Sequence, residues 1–200
     1  MKRGIYLIWD LPAADGVDPA EFFAALGGRL PCAVQLRAKG AAEAPAVLEP
    51  LVAACSEQGL PLIINDRHDW LVDGVWGLHL GQCDGEFPAR SDLYFGRSTR
   101  DDEMVARAAA DPKVHHMGFG PICTTDSKPG LPEARGFDRL AEAVAASGGK
   151  PVVAIGGLDR RGVVEARDRG AWAAAVIGAV WSAPDPVRAC RDLVEAWEAP

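Results

Sequence analysis

Two acidic residues follow two short apolar runs in the segment PLIINDRHDWLVDGVWGLHLGQCD, residues 61–84. Asp66 lies just past the end of the first run, and Asp84 lies just past the end of the second. The runs predict two buried strands, with a short helix over residues 68–73 between them. Because parallel strands joined by helices carry their chemistry at the carboxyl ends, we expect both carboxylates to face one cavity. Such hard oxygen ligands suit Mg²⁺ held together with the phosphates of a substrate.

Polar side chains also mark the end of the strand before this segment. In the run VQLRAK, alternation places Gln35, Arg37 and Lys39 on one side of the strand. The arginine guanidinium can donate two hydrogen bonds to one phosphate, and lysine supplies a positive charge. The glutamine side-chain amide makes hydrogen bonds in defined directions. In a barrel strand these groups would point inward near the top, whereas a polar strand end at the surface is the alternative. Asn65 follows the next strand and is a further candidate site residue, although asparagine is also a common turn residue.

Hydroxyl-rich segments follow the fifth and sixth predicted strands. The run GRST contains Ser98 just before a helix, where a glycine and hydroxyls form an anion site. The alternative is that Ser98 or Thr99 simply caps that helix. After the sixth strand, the loop ICTTDSKPG contains Thr125, Ser127 and Lys128. This composition favours a lid that closes on phosphate, with an ordinary surface loop as the alternative.

Glycines end the last two predicted strands. The seventh strand is followed by Gly156 and Gly157, and the eighth ends with Ile177 just before Gly178. Backbone N–H groups after the seventh and eighth strands of a barrel commonly bind phosphate. Two such glycine sites in consecutive units therefore predict a second phosphate position. The sequence shows no oriented pair of nucleophile and base.

Short apolar runs alternate with helical patterns along the whole chain. Strands are predicted at residues 4–9, 32–37, 61–64, 75–80, 93–96, 115–119, 151–155 and 172–177. Helices are predicted at residues 19–26, 42–59, 101–110, 137–146, 160–169 and 186–197, and any helix over 86–90 must be very short. This order predicts an α/β fold, a single-domain (β/α)8 TIM barrel over residues 1–200. A doubly wound open sheet is the alternative that periodicity leaves open.

Composition narrows the class of protein. The chain has 200 residues, 48% hydrophobic, with a net charge of −7. No basic run exceeds two residues, so we expect no nucleic-acid partner. No stretch predicts a targeting segment or a membrane span. Five cysteines without CxxC spacing fit a reducing compartment, and we expect a cytoplasmic protein. Homo-oligomerisation is left open.

Assembled in order, these segments resemble the family of thiamine phosphate synthase and its thiazole tautomerase relatives. The matching segments span residues 34 to about 179 and read VQLRAK, IINDR, GLHLGQCD, GRST, GFGPICTTDSK and PVVAIGGL. The resemblance implies a (β/α)8 barrel and a Mg²⁺-dependent transferase. Its small-molecule substrates would be a pyrimidine methyl diphosphate and a thiazole phosphate, giving thiamine phosphate and pyrophosphate.

The resemblance also implies a role for each motif residue. Asp66 and Asp84 match the metal ligands, with Mg²⁺ preferred and Mn²⁺ left open. The residues matching the pyrimidine diphosphate site are Gln35, Arg37, Lys39, Asn65 and Ser98. Those matching the closing loop are Thr125, Ser127 and Lys128, and those matching the thiazole phosphate site are Gly156, Gly157, Ile177 and Gly178. Arg37, Lys39, Ser98 and Lys128 are the residues expected to take part in catalysis.

Departures from the family pattern leave two alternative hypotheses about the function. The family usually has serine where this chain has Gly178, and the Cys123-Thr124 pair is also unusual. A non-catalytic protein that binds thiamine phosphates would fit these changes. A thiazole tautomerase is the other alternative, but such relatives carry a histidine where this chain has Pro121.

Overall fold

Eight parallel strands close into a barrel in the computed structural model, which describes residues 1–124 and 133–200. Each strand pairs with its neighbours in sequence, and the first strand also pairs with the last. The strands are β1 (Gly4–Asp10), β2 (Ala33–Arg37), β3 (Leu62–Asn65), β4 (Gly77–Leu80), β5 (Tyr94–Thr99), β6 (His116–Phe119), β7 (Val152–Ile155) and β8 (Ala173–Val176). The predicted (β/α)8 barrel is therefore confirmed.

Helices on the outside cover most of the connections between strands. They are α1 (Pro19–Ala25), α2 (Leu48–Glu57), α3 (Asp102–Ala110), α4 (Gly136–Ala146), α5 (Arg160–Asp168), α6 (Gly178–Trp181) and α7 (Pro186–Glu198). A single 3₁₀ turn, His68–Trp70, stands in the connection from β3 to β4. In the described part of the chain, no helix combines the length and apolar character that crossing a membrane requires.

Two predicted helices differ from the structure. The helix predicted over 42–59 begins only at Leu48, because Pro50 is tolerated in a first turn but would break the interior of a longer helix. The described segment 81–93 contains no helix, so β4 leads to β5 through a loop. That loop includes Gly85 and Pro88, which both disfavour helical backbone.

The short helix α6 has no periodic signal in the sequence and is held by tertiary contacts. The indole N–H of Trp181 donates to the backbone oxygen of Ile8 at 2.7 Å. Its ring also meets the ring of Trp9 with centroids 4.9 Å apart. Edge contacts of this kind contribute about 0.5–1.5 kcal/mol beyond the buried area. These contacts fix the chain after β8 against β1, and they thereby position Gly178 at the mouth of the barrel.

Side chains of β1 alternate between two separate cores. On β1, Ile5, Leu7 and Trp9 pack in the larger core between the strands and the helices. Tyr6 and Ile8 pack instead in a smaller core inside the barrel, with alanine and aliphatic side chains from other strands. The inner core fills the beginning and middle of the barrel. Only the carboxyl ends of the strands are left to form a site.

The start of α7 allows a test of local stability. Asp185 caps this helix, its side chain accepting from the backbone N–H of Arg188 at 2.9 Å. We expect Asp185→Ala to lower the free energy of unfolding by about 1 kcal/mol, measured by urea denaturation. The control Asp192→Ala removes an exposed acid of the same helix that forms only a 3.9 Å ion pair. It should change stability far less, and equal losses would contradict the capping role.

Candidate active site

A cavity of about 770 Å³ opens at the carboxyl ends of the strands. Strand ends from β2 to β8 contribute to its wall, so residues distant in sequence share one space. The predicted site residues that line it are Arg37, Lys39, Asn65, Asp66, Asp84, Ser98, Gly156, Gly157, Ile177 and Gly178. The structure thus brings together most of the groups that the sequence singled out.

The basic side of the cavity depends on a buried ion pair. Arg37 is the last residue of β2, and one of its terminal N–H groups donates to the Asp10 carboxylate at the end of β1. The two residues are register partners and both are 8% exposed. A guanidinium has five N–H donors, so this pair orients Arg37 and leaves donors for a phosphate. Lys39, two residues further, is exposed and lines the same cavity.

The acidic side consists of Asp66 and Asp84. Asp66 follows β3 with a left-handed backbone (φ 64°), and its N–H donates to the backbone oxygen of His79 at 2.9 Å. The carboxylate of Asp84 accepts from the backbone N–H of Gly81 at 2.8 Å. Burial, and then the nearby Asp84 carboxylate, raise the pKa of Asp66 above its ordinary value. Half-buried Asp66 and exposed Asp84 therefore lie beside each other at the cavity.

This arrangement fits a divalent cation. Two carboxylates that repel each other are stabilised when positive charge lies beside both. Among residues 1–124 and 133–200, no group of three or more His, Cys, Asp or Glu side chains is arranged to hold a metal ion. Asp66 and Asp84 would then supply only part of a Mg²⁺ shell, and substrate oxygens and water would complete it. Predicted metal ligands and predicted phosphate ligands accordingly line the same cavity.

Ser98 lies within a strand rather than after it, because β5 extends to Thr99. Its hydroxyl lies 3.0 Å from Nε2 of His79, and its backbone oxygen accepts from the Gln82 side chain. The alternative that Ser98 or Thr99 caps the next helix is wrong. Asp101 caps it, accepting from the N–H of Met104 at 2.9 Å.

The glycines after β7 are required by close packing of the backbone. Gly156 and Gly157 both have positive φ, 105° and 64°. A Cβ on Gly157 would lie 2.4 Å from the backbone oxygen of Thr124, and one on Gly156 would lie 2.7 Å from Pro121. These contacts bring the segment after β6 against the end of β7. The backbone N–H groups of this turn remain candidates for phosphate binding.

Four predicted site residues are not placed at the cavity. Gln35 is not among the described residues that line it. Its side chain is buried one layer deeper and donates to the Tyr6 hydroxyl at 2.9 Å. Alternation along β2 predicts which side a residue faces, whereas its depth depends on the neighbouring strands. The other three, Thr125, Ser127 and Lys128, lie outside the described residues.

Some residues of the site were missed from the sequence. Asp10 gave a usable signal, because it too is an acid at a strand end. Gln82 and Arg100 line the cavity without belonging to a pattern that distinguishes them from loop residues. His79 is buried, and it also contacts Ser98 at the cavity.

Comparison with known proteins assigns this geometry to a family. The family model described as thiamine monophosphate synthase matches residues 6–180. The chain belongs to this family. The match includes every strand end that contributes to the cavity, so the resemblance inferred from the motifs is confirmed.

Individual members of the family match over nearly the whole chain. A thiamine-phosphate synthase of Anaeromyxobacter dehalogenans is 41% identical over 206 residues, covering 98% of this chain and 88% of the relative. One of Acidothermus cellulolyticus is 37% identical over 197 residues, covering 94% and 92%. The solved thiamine phosphate pyrophosphorylase from Pyrococcus furiosus aligns with a TM-score of 0.81 at 25% identity, covering 98% and 95%.

The close approach at Gly157 can be tested by adding one methyl group. Gly157→Ala should lower the free energy of unfolding by about 1–2 kcal/mol for the left-handed backbone, and further because Cβ meets the Thr124 oxygen. The control is Gly59→Ala, which has φ 63° and open space around Cβ. Denaturant unfolding of both variants measures the difference. If Gly157→Ala cost no more than the control, the packing argument would be wrong.

Proposed function

We propose that this protein joins a pyrimidine methyl diphosphate to a thiazole phosphate, giving thiamine phosphate and pyrophosphate. One observation carries the proposal. A single cavity combines a carboxylate pair with Arg37 and Lys39, in a chain whose relatives are named for this synthesis. Transfer of a group from a diphosphate requires groups that hold and neutralise the departing oxygens, and both kinds lie at this barrel mouth.

In this proposal Asp66 and Asp84 would hold Mg²⁺. When bound there, the cation supplies positive charge to the oxygens of the diphosphate. Arg37, oriented by Asp10, donates hydrogen bonds to the same group. Lys39 adds a second positive charge from the exposed edge of the cavity. Lys128, which lies outside the described residues, is proposed from the family motif as a third.

The bond changes need little covalent chemistry from the protein. The C–O bond between the pyrimidine methylene and the diphosphate breaks, and its electron pair leaves with the diphosphate. The thiazole nitrogen then donates its lone pair to the positively charged carbon, which forms the new C–N bond. The protein holds both substrates in place and excludes water that would otherwise trap the cation. Arg37 and Lys39 act on the leaving oxygens, and no general base is required.

The thiazole phosphate is proposed to lie against the ends of β7 and β8. Gly156, Gly157, Ile177 and Gly178 line this part of the cavity. The backbone N–H groups there are proposed phosphate donors in place of the serine hydroxyl that the family usually has at Gly178. Because the two phosphate positions lie on different strand ends, the two substrates can bind in one cavity at the same time.

The relatives favour the synthase over the two alternatives. Those described above are named thiamine-phosphate synthases, and a tautomerase would need neither the acid pair nor a diphosphate site.

We also propose a cytoplasmic location. All five cysteines are free, and Cys32, Cys55 and Cys190 are buried thiols whose pKa burial raises to about 12. Unpaired cysteines fit a reducing compartment.

A direct assay tests the proposed function. Purified protein is supplied with the pyrimidine diphosphate, the thiazole phosphate and Mg²⁺, while thiamine phosphate and pyrophosphate are both quantified. Formation of both products in equal amounts, and only with the metal, is the expected result. Isomerisation of a thiazole carboxylate phosphate without synthesis would assign the protein to the tautomerases. Substrate binding with no turnover of either kind would favour a non-catalytic role.

If Asp84 is a metal ligand, removing its charge should reduce stabilisation by Mg²⁺ without destabilising the metal-free protein. Asp84→Asn keeps an oxygen for the N–H of Gly81 but removes the negative charge beside Asp66. In EDTA the variant should be at least as stable as the parent, because the repulsion is gone. With pyrophosphate present and Mg²⁺ at 100 times its Kd, the parent should gain about 2.7 kcal/mol of unfolding free energy, and the variant should gain far less.

The control for this experiment is Asp92→Asn, since Asp92 is an exposed acid paired with Arg90 outside the cavity. It should retain both the magnesium-dependent stabilisation and turnover. Denaturant unfolding at several Mg²⁺ concentrations measures the first, and the assay measures the second. An Asp84→Asn variant that keeps full stabilisation by Mg²⁺ would remove Asp84 from the metal site.

A further inference from the structure

A hydrogen-bonded chain runs from the cavity into the interior of the barrel. The Ser98 hydroxyl lies 3.0 Å from Nε2 of His79, and Nδ1 of His79 lies 3.2 Å from Nε2 of His116. We call these three residues the Ser98–His79–His116 chain. Ser98 lines the cavity, whereas His116 is 1% exposed. A polar group at the mouth is therefore connected to one that solvent does not reach.

Strand register creates this chain by placing its two imidazoles on either side of a glycine. His79 on β4 is the partner of Gly96 on β5, and Gly96 is the partner of His116 on β6. A Cβ on Gly96 would lie 2.1 Å from the His116 ring and 2.4 Å from the His79 ring. The rings meet only because that Cβ is missing, so the position of Gly96 is part of the arrangement.

The inner end of the chain carries an unsatisfied nitrogen. Nδ1 of His116 is buried and has no hydrogen-bond partner among the described residues. The ring stacks on Tyr94 with centroids 5.3 Å apart, and Tyr6 lies 6.1 Å away. Burial, followed by the nearby imidazoles of His79 and His115, lowers the pKa of His116 well below its ordinary value. His116 is therefore neutral and carries one N–H.

The position of that N–H follows from the unsatisfied nitrogen. A buried N–H without an acceptor is rarer in proteins than a buried acceptor without a donor, and it costs the full desolvation of the group. The single proton of His116 accordingly lies on Nε2, which donates to Nδ1 of His79. Because Nδ1 of His79 accepts this hydrogen bond, the N–H of the His79 ring lies on Nε2 and donates to Ser98.

The donor and acceptor roles along the Ser98–His79–His116 chain are thus set by His116 at its buried end. Since the Ser98 oxygen accepts from His79, its own proton is directed to another acceptor. We propose that His116 is a positioning residue that, through His79, presents the Ser98 hydroxyl as a hydrogen-bond donor to the substrate. The acceptor would be an unprotonated ring nitrogen or a leaving-group oxygen of the pyrimidine diphosphate, so this role rests on the proposed function.

Three variants separate positioning from packing. His116→Phe keeps a flat ring for stacking on Tyr94 but loses the Nε2–H donor. We expect kcat/KM for the pyrimidine diphosphate to fall about three- to tenfold, with little change in KM for the thiazole phosphate. His116→Gln, whose amide N–H takes the place of Nε2–H, should recover most of the loss. The control His115→Phe alters the other imidazole stacked on Tyr94, outside the chain, and should leave kcat/KM unchanged.

A spectroscopic measurement on the unaltered protein tests the tautomers directly. The chain has four histidines, so ¹⁵N NMR of the imidazoles can be assigned by single substitutions. We expect a proton on Nε2 and none on Nδ1 for both His116 and His79. This readout requires neither substrate nor turnover, and it remains available if His116→Phe fails to fold.

The outcomes distinguish this proposal from the proposed function. A proton on Nδ1 of either histidine would overturn the donor direction, even in an active synthase. Normal kcat/KM in a folded His116→Phe variant, or an equal loss in His115→Phe, would overturn the positioning role. An unaltered protein with the expected tautomers but no synthase activity would instead overturn the proposed function, and with it the role of the chain in that reaction.

Discussion

Closure of the barrel is the constraint on which the site depends. β1 pairs on one side with β2 and on the other with β8, so no strand has a free edge. Because all strands are parallel, every carboxyl end lies on the same ring. Residues as far apart in sequence as Arg37 and Gly178 then line one cavity. Without the pairing of β1 with β8, the two proposed phosphate positions would lie at opposite ends of an open sheet.

Charge in the cavity is divided into two unlike parts. Arg37 is paired with Asp10, so the basic side is oriented before any substrate arrives. Asp66 and Asp84 instead repel each other, and burial together with the nearby Asp84 carboxylate raises the pKa of Asp66. Residues that destabilise the free protein are common where a ligand supplies the missing interaction. The net charge of −7 is therefore no obstacle to phosphate binding, which local groups decide.

The interior of the barrel combines apolar and polar side chains. Ile8 and Ile63 are apolar, and both are register partners of Gln35. The polar groups are Gln35, which donates to Tyr6, and the two imidazoles that meet across Gly96. These buried polar groups are largely satisfied by one another, which gives them a defined geometry.

The sequence by itself determined the eight strands and the strand-end residues, because apolar runs and the polar groups that follow them are local patterns. Pro50 likewise carried the local reason for the later start of α2. Only the tertiary structure decided that Arg37 pairs with Asp10, that Gln35 lies below the cavity and that His79 meets His116. Those contacts depend on the register between neighbouring strands. Closure of the whole barrel sets that register, and no local stretch of sequence specifies it.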